Sequence, residues 1–380
     1  MYYKMTNILY HEARPMNDST TFGEFQSIDW EIEDVGRKLV KNSIYIEADL
    51  VVNVSTGVPV SVTNRIGLSR DIGYHSLWES FNIENSKYGS IQNIQHYPRY
   101  CMILATGDGN TSSCLTPKGQ AEGRQLTDEA CRYTVQPQAC RHATSDGSKV
   151  SKAVNLCIKP KICLNSMAGD NYSFAKNGAI RISTNLARNG TALHGGSVTG
   201  TSSYTLQNVR LKYITVPDDG KQSAIMMNSV VSVKQAVNSQ QANLSVKVPA
   251  KSCSGVIVTY ISQANEIGLQ TDSYKLENMP NLDELQYLFS DTQAKYISYN
   301  VSDQQDMLKL GTEAISLAGV KVKTNSFKSN ANEGVIHGLD FQQNLDLSRQ
   351  KFGLNLRSSS TKISVNPRNV YFHFLETISL

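Results

Sequence analysis

What is scarce in this sequence narrows its function first. Charge is scarce: Asp, Glu, Lys and Arg make up 18% of the 380 residues and leave a formal net charge of +4. No run of Lys or Arg is longer than a pair, and the N-terminal forty residues set Lys4, Arg14, Arg37 and Lys38 against Glu12, Asp18, Glu24, Asp29, Glu31, Glu33 and Asp34. A cationic arm that neutralises phosphates is therefore missing, and sequence-specific nucleic-acid binding is not expected. Long apolar runs are missing too. None approaches the ~20 residues of a membrane-spanning helix, and Met1 to Asn7 has no signal-peptide core. The expectation is a chain made and retained inside a cell.

Catalytic signatures are equally thin. There is no Gly-x-x-x-x-Gly-Lys-Ser/Thr, Gly-x-Ser-x-Gly or His-Glu-x-x-His, and Gly107-Asp108-Gly109 lacks the third glycine of a dinucleotide fingerprint. The histidines (His11, His75, His96, His142, His194, His337, His373) are scattered, none at ligand spacing. Six of the seven cysteines (Cys101, Cys114, Cys131, Cys140, Cys157, Cys163) cluster, yet no pair is spaced as a zinc knuckle. Reduced thiols are the favoured reading, with a bridge or metal in the Cys114 to Cys140 loop as the alternative. No catalytic, cofactor-binding or metal residue is assigned, and no enzyme activity is expected. The Asn-x-Ser/Thr sequons at Asn17, Asn53, Asn110, Asn171, Asn189, Asn243 and Asn300 would, without secretion, be chance matches.

What is present is β-structure. Hydrophobic residues reach 40%, enough for packed interiors, and the length exceeds the roughly 250–300 residues at which one core stops growing, so two domains are expected. Ile44, Ile46, Ala48, Leu50, Val52 and Val54 alternate with polar residues and predict a strand. Val58, Val60 and Val62 suggest its return. Leu77, Phe81 and Ile83 predict another strand, and Pro98 opens or kinks a short helix after Ile94. Strands are also expected over Val154 to Leu164 and Ala179 to Leu186. Thr106 to Lys152, rich in Gly, Ser, Thr and Gln, reads as a surface insertion.

Asn208-Val209-Arg210-Leu211-Lys212-Tyr213 and Asn369-Val370-Tyr371-Phe372-His373-Phe374 share one pattern, and each is placed to close a half. The apolar phase slips between Leu206 and Val209, which predicts a bulge. Pro217-Asp218-Asp219-Gly220 is turn chemistry and marks the boundary. Beyond it, Leu244, Val246 and Val248 alternate, Val256 to Ile261 is a wholly apolar strand, and Asn281 with Glu284 predicts a short helix. Asp303 to Ala318 predicts a second helix with Ser302 as N-cap and Gly319 past its end. The 18 tyrosines fall mostly at alternating strand positions and are read as wall packing. The organisation is an N-terminal segment (1–40) lying against the body, a first sandwich (41–217) and a second (218–380), an all-β chain of two jelly rolls with short helical insertions.

The segment Gly67 to Tyr100, with His75-Ser-Leu-Trp78 and Tyr97-Pro-Arg-Tyr100, resembles the loop, strand and helix of double jelly-roll viral capsid proteins. That lineage takes in adenovirus hexon, polinton-like viruses, virophages and small tailless phages. The ending from Leu339 through Asn366-Pro-Arg-Asn-Val-Tyr-Phe-His-Phe374 is similar as well, and so is Tyr204 to Tyr213. The resemblance implies a major capsid protein located in the virion. It implies a homotrimer whose six rolls make a pseudo-hexagonal capsomer, tiling an icosahedral shell beside penton and minor capsid proteins, with or without an internal membrane as a further partner. The acidic N-terminal segment could clamp neighbours or face such a membrane. A minor or penton capsid protein and a carbohydrate-binding β-sandwich adhesin are the alternatives, with a β-sandwich hydrolase as the enzymatic rival.

Overall fold

The computed structural model describes residues 7–53, 67–69, 71–107, 154–193, 203–221, 223–267, 272–277, 279, 282–289, 297–300, 304–320, 336–359 and 366–380. The expected Val58 to Val62 strand, nearly all of the Thr106 to Lys152 insertion, and Cys114, Cys131, Cys140, His142 and His194 lie outside them. No helix among the described residues is long and apolar enough to cross a membrane.

Alternation builds the first roll. In β5 (Tyr45–Asn53) Ile46, Ala48, Leu50 and Val52 are buried, and in β11 (Ile180–Leu186) Ile180, Ile182, Thr184 and Leu186 are. One sheet runs β3 (Ser27–Ile32), β11, β6 (Trp78–Asn85), β7 (Gly89–Ile94). The facing sheet centres on β12 (Ser203–Pro217), which pairs with β1 (Leu9–Ala13) and β2 (Thr21–Phe22) on one edge. On its other edge it pairs with β4 (Arg37–Leu39) and β5. Thr215 fixes this arrangement, because it pairs with both Leu9 and Leu39. β8 (Val154–Ile158) lies outside β5 and β10 (Tyr172–Ser173) outside β4.

Residues 7–40 are thus not a segment laid against the body. They supply four strands, and Ile28, Trp30 and Ile32 are core residues. The pieces are short because Pro15, Gly23 and Gly36 interrupt them, which hides the two-residue period. The expected bulge is present: register shifts between Gln207 and Arg210, and Asn208 sits at φ 51°, a left-handed conformation that Asn tolerates. The strand expected to Leu164 stops at Ile158, ahead of Pro160.

The second roll opens with β13 (Ile225–Val237). Its sheets run β13, β20 (Arg368–Ser379), β15 (Cys253–Ser262), β18 (His337–Leu345), and β14 (Gln241–Lys247), β19 (Lys351–Ser358), β16 (Leu282–Phe289), β17 (Ile297–Asn300). With β1 and β2 counted as one strand, β4 and β5 as another, and the two-residue pieces 168–169 and β10 set aside, the order repeats that of the first roll: the last strand lies between the first and third in one sheet, and the seventh lies between the second and fourth in the other. This is the jelly-roll Greek key, twice. The helix expected from Asn281 is instead β16, where Leu285 and Tyr287 share the buried face. A two-residue period set by burial overrides a local capping pattern.

Among the described residues the longest helix of each roll falls at the same point of its path, between its fifth and sixth strands: α1 (Tyr97–Gly107) and α2 (Gln304–Leu317). α2 ends as expected, with Gly319 at φ +79°. It lies so close to its sheet that a Cβ on Gly338 would stand 2.5 Å from Ala314 Cβ, and one on Gly255 2.6 Å from Leu317 Cδ1. β9 (Ala168–Gly169), from the first half, pairs with β13 and ties the halves together.

Candidate assembly interface

In each roll, the sheet holding the first and last strands has an inner face on its own core and an outer face turned away. In the second roll the inner face comes from Val370, Phe372 and Phe374. Its outer face holds Tyr371, His373 and Leu375 of β20, in register with Lys234, Ser232 and Val230 of β13. The three β20 residues are buried as well, because the first roll covers them. Ile225, Met227, Val230, Ile257 and Leu375 are continuous with the first roll's hydrophobic core. That is why the centre of β15 reads as a nearly continuous apolar run, broken by Thr259: it is buried on both faces.

The covering side chains come from the segment that the sequence singles out. His96, at φ 56°, turns the chain sharply out of β7, and Pro98 sits in the first turn of α1, where a missing N–H costs nothing. Tyr97 then points home: its hydroxyl bonds His75 Nδ1 at 2.8 Å and accepts from Lys161 N at 2.9 Å, and its ring meets Phe81 at 4.7 Å. Arg99 and Tyr100 point across. The Arg99 guanidinium lies 4.2 Å from the Tyr371 ring centroid and donates from Nη2 to the Ser273 carbonyl at 2.6 Å. Tyr100 lies 6.3 Å from His373, and the His96 ring meets Tyr371 edge-on at 5.0 Å. Ser69 donates to Asp272 at 2.6 Å and Tyr274 to the Ser76 carbonyl at 3.3 Å, closing the same seam.

Electrostatics here follow burial. Arg99 is 2% exposed, and burial pulls its pKa down against the nearby carboxylates of Glu266, Glu79 and Asp272 and the Tyr274 hydroxyl. His373 donates to or accepts from Ser232 Oγ at 2.8 Å, and its Nε2 has no partner among the described residues. Burial, with His96 and Arg99 adding to it, lowers its pKa to about 3. His337, edge-on to Tyr260 at 5.3 Å, is lowered to about 4 by burial.

A cleft of about 280 Å³ opens along the seam between His96, Arg99, Glu79, Lys234, Glu266 and Tyr371. Four of its charged or titratable groups are paired, Lys234 with Glu266 at 2.7 Å and Glu79 with His96 at 3.0 Å, with Asn369 and Tyr371 also donating to Glu266, and Arg188 lines it as well. Each of these pairs lies within one roll; the contacts that cross between the rolls are those of His96, Arg99 and Tyr100 with Tyr371, Ser273 and His373. His75, 3% exposed, is a hydrogen-bonded core residue. Cys163 and Cys253 are buried thiols raised to about 12 by burial, and Cys157 is exposed. Among the described residues no cluster of His, Cys, Asp and Glu could hold a metal ion.

Among the described residues nothing covers the first roll's equivalent outer face. The shared pattern equates Arg210 with Tyr371 and Lys212 with His373. Arg210 and Lys212 keep 40% and 42% of their side chains in solvent, paired with Glu12 at 2.6 Å and with Glu47 respectively. Sequence reasoning noticed the repeat and missed this contrast, although the signal was present: charged outward positions in one copy, aromatic ones in the other.

No family model matches the sequence, and no curated protein does. Solved structures match in shape. The Faustovirus major capsid protein aligns with a TM-score of 0.58 at 9% identity, over 100% of this chain and 91% of that one. A chain of the Sputnik virophage structure gives 0.56 at 10%, over 100% and 87%. The mavirus major capsid protein gives 0.55 at 8%, over 97% and 88%. At such identities the likeness is one of fold, and the fold is the double jelly roll of viral major capsid proteins.

Proposed function

We propose that this chain is a viral capsid protein whose work is mechanical: it self-assembles as a homotrimer, and the resulting pseudo-hexagonal capsomers tile an icosahedral shell in the virion. The observation that carries the reading is the strand-for-strand duplication, with two rolls set side by side through a broad apolar seam. A face-to-side contact between unlike surfaces is heterologous, and heterologous contacts between equivalent units close into a ring where the rotation per unit closes and run on as a filament where it does not; we propose the closed case. Two rolls per chain then make a six-roll ring from three chains. Likeness of fold over the whole chain to major capsid proteins supports the same reading.

The seam shows the chemistry expected of such a contact, with buried aromatics and one arginine at its centre and polar groups at its rim. Neighbouring capsomers, penton and minor capsid proteins and, where present, an internal membrane are the partners this role implies. No catalytic step is part of it. Sedimentation of the purified protein tests the proposal: a species of three times the 42.0 kDa chain mass is expected, with a hexagonal outline by electron microscopy. A monodisperse monomer at micromolar concentration overturns it.

A further inference from the structure

We infer that the cleft on the seam between the two rolls is a binding site for a small organic carboxylate, a ligand of one negative charge with a short apolar body. The inference goes beyond the capsid reading and does not depend on it. Its ground is a buried positive charge without a counter-ion. The Arg99 guanidinium is 2% exposed and lines the cleft. Its Nη2 donates to the Ser273 carbonyl and its plane lies by the Tyr371 ring, but it forms no ion pair among the described residues, and Nη1 has no partner there. Taking a charge out of water is costly unless a group of opposite sign compensates it. Ser273, which also lines the cleft, has a buried Oγ that is likewise without a partner among the described residues. A guanidinium N–H and a hydroxyl on one cleft are a donor pair suited to the two oxygens of a carboxylate.

The other charges on the cleft set the charge of the ligand. Arg188 is exposed and makes no ion pair among the described residues. With His96 neutral, the positive charges of Arg99, Arg188 and Lys234 face the negative charges of Glu79 and Glu266, which leaves one positive charge to balance. A carboxylate balances it, whereas a dianion such as phosphate carries one charge too many toward the two glutamates. The volume of about 280 Å³ lies just below the span of pockets that take drug-sized ligands, about 300–1,000 Å³, and points to a body of one ring or a few carbons. Leu186 and Tyr274 give it apolar wall, and Phe25 and Ile267 line it while remaining 70% and 56% exposed, area that an apolar body covers. Arg99 and Arg188 belong to the first roll and Ile267 and Ser273 to the second, so a bound carboxylate bridges the seam and stabilises the folded chain.

Benzoate is the probe, and benzamide, its neutral isostere, is the comparison. Saturation-transfer NMR of the full-length protein at about pH 7.5, where an ordinary histidine is neutral, is expected to give a saturable benzoate signal with a Kd of about 1 mM. In about 10 mM benzoate the melting temperature should rise by about 2 °C or more, and in benzamide or added chloride it should not. Arg99→Gln should raise the Kd about tenfold or more, and Arg188→Gln, at an exposed and more screened position, about threefold. Arg181→Gln, on the other sheet of the first roll beside Asp29, should leave it unchanged. Arg188→Gln alters an exposed side chain and keeps the test decisive if Arg99→Gln fails to fold. No saturable benzoate signal, an equal response to benzamide, or an unchanged Kd in every folded variant of Arg99 and Arg188 overturns the site. The capsid reading, tested by sedimentation, stands or falls separately.

Discussion

Acid should destabilise the folded chain, and two histidines of the second roll set the scale. His337 and His373 are buried and neutral, with pKa values lowered to about 4 and about 3 from 6.5. Below about pH 6.5 the unfolded chain takes up a proton at each site and the folded chain does not. Stability due to these sites is therefore intact above that pH and falls as pH drops, until each folded-state pKa is reached. With both sites titrating, the slope approaches about 2.7 kcal/mol per pH unit, and the loss between about pH 7.5 and 4.5 is about 5 kcal/mol. That is comparable to the whole stability of many domains. The groups facing His373 reinforce the effect, since His96 and Arg99 both oppose a second positive charge. Urea denaturation monitored at several pH values measures it, comparing wild type with the His337→Gln/His373→Gln double variant so that carboxylate titration cancels. The wild-type curve should fall away from a flatter variant curve below about pH 6.5. Parallel curves would refute the argument that burial holds these rings neutral.

Arg99→Ala removes the guanidinium that spans the two rolls and leaves the Ser273 carbonyl without its donor; a loss of about 3 kcal/mol in denaturant unfolding is expected, with Arg99→Lys recovering only part of it. Gly338→Ala should cost about 1–3 kcal/mol by pushing α2 off its sheet, read as a lowered melting temperature. Tyr204→Phe deletes hydroxyl bonds to the carbonyls of Ala187 at 2.5 Å and Leu77 at 3.2 Å, and should cost about 1 kcal/mol in the same assay. Brief iodoacetamide treatment of the native protein, followed by peptide mass spectrometry, should label Cys157 and spare Cys163 and Cys253, whose thiols are buried and raised to about 12.

Much of the fold was written in local pattern. Alternation in Ile44 to Val54 and Ala179 to Leu186 fixes which side chains face inward, because a strand's period is two whatever surrounds it. The phase slip at Leu206 to Val209 gave the bulge, and Gly319 the end of α2. The hexapeptides at Asn208 and Asn369 fall on the last strand of each roll. Local pattern failed where strands are too short to show a period, as in residues 7–40, and where a capping signal competes with burial, as at β16.

Coverage of outer faces was decided by the tertiary structure alone. Sequence sets the face to which Tyr371 and Arg210 belong, but only the packing of one roll on the other determines that the first is buried and the second exposed. The reason is range: a side chain's facing depends on its neighbours in the strand, whereas its cover comes from α1 and β7, more than two hundred residues earlier in the chain.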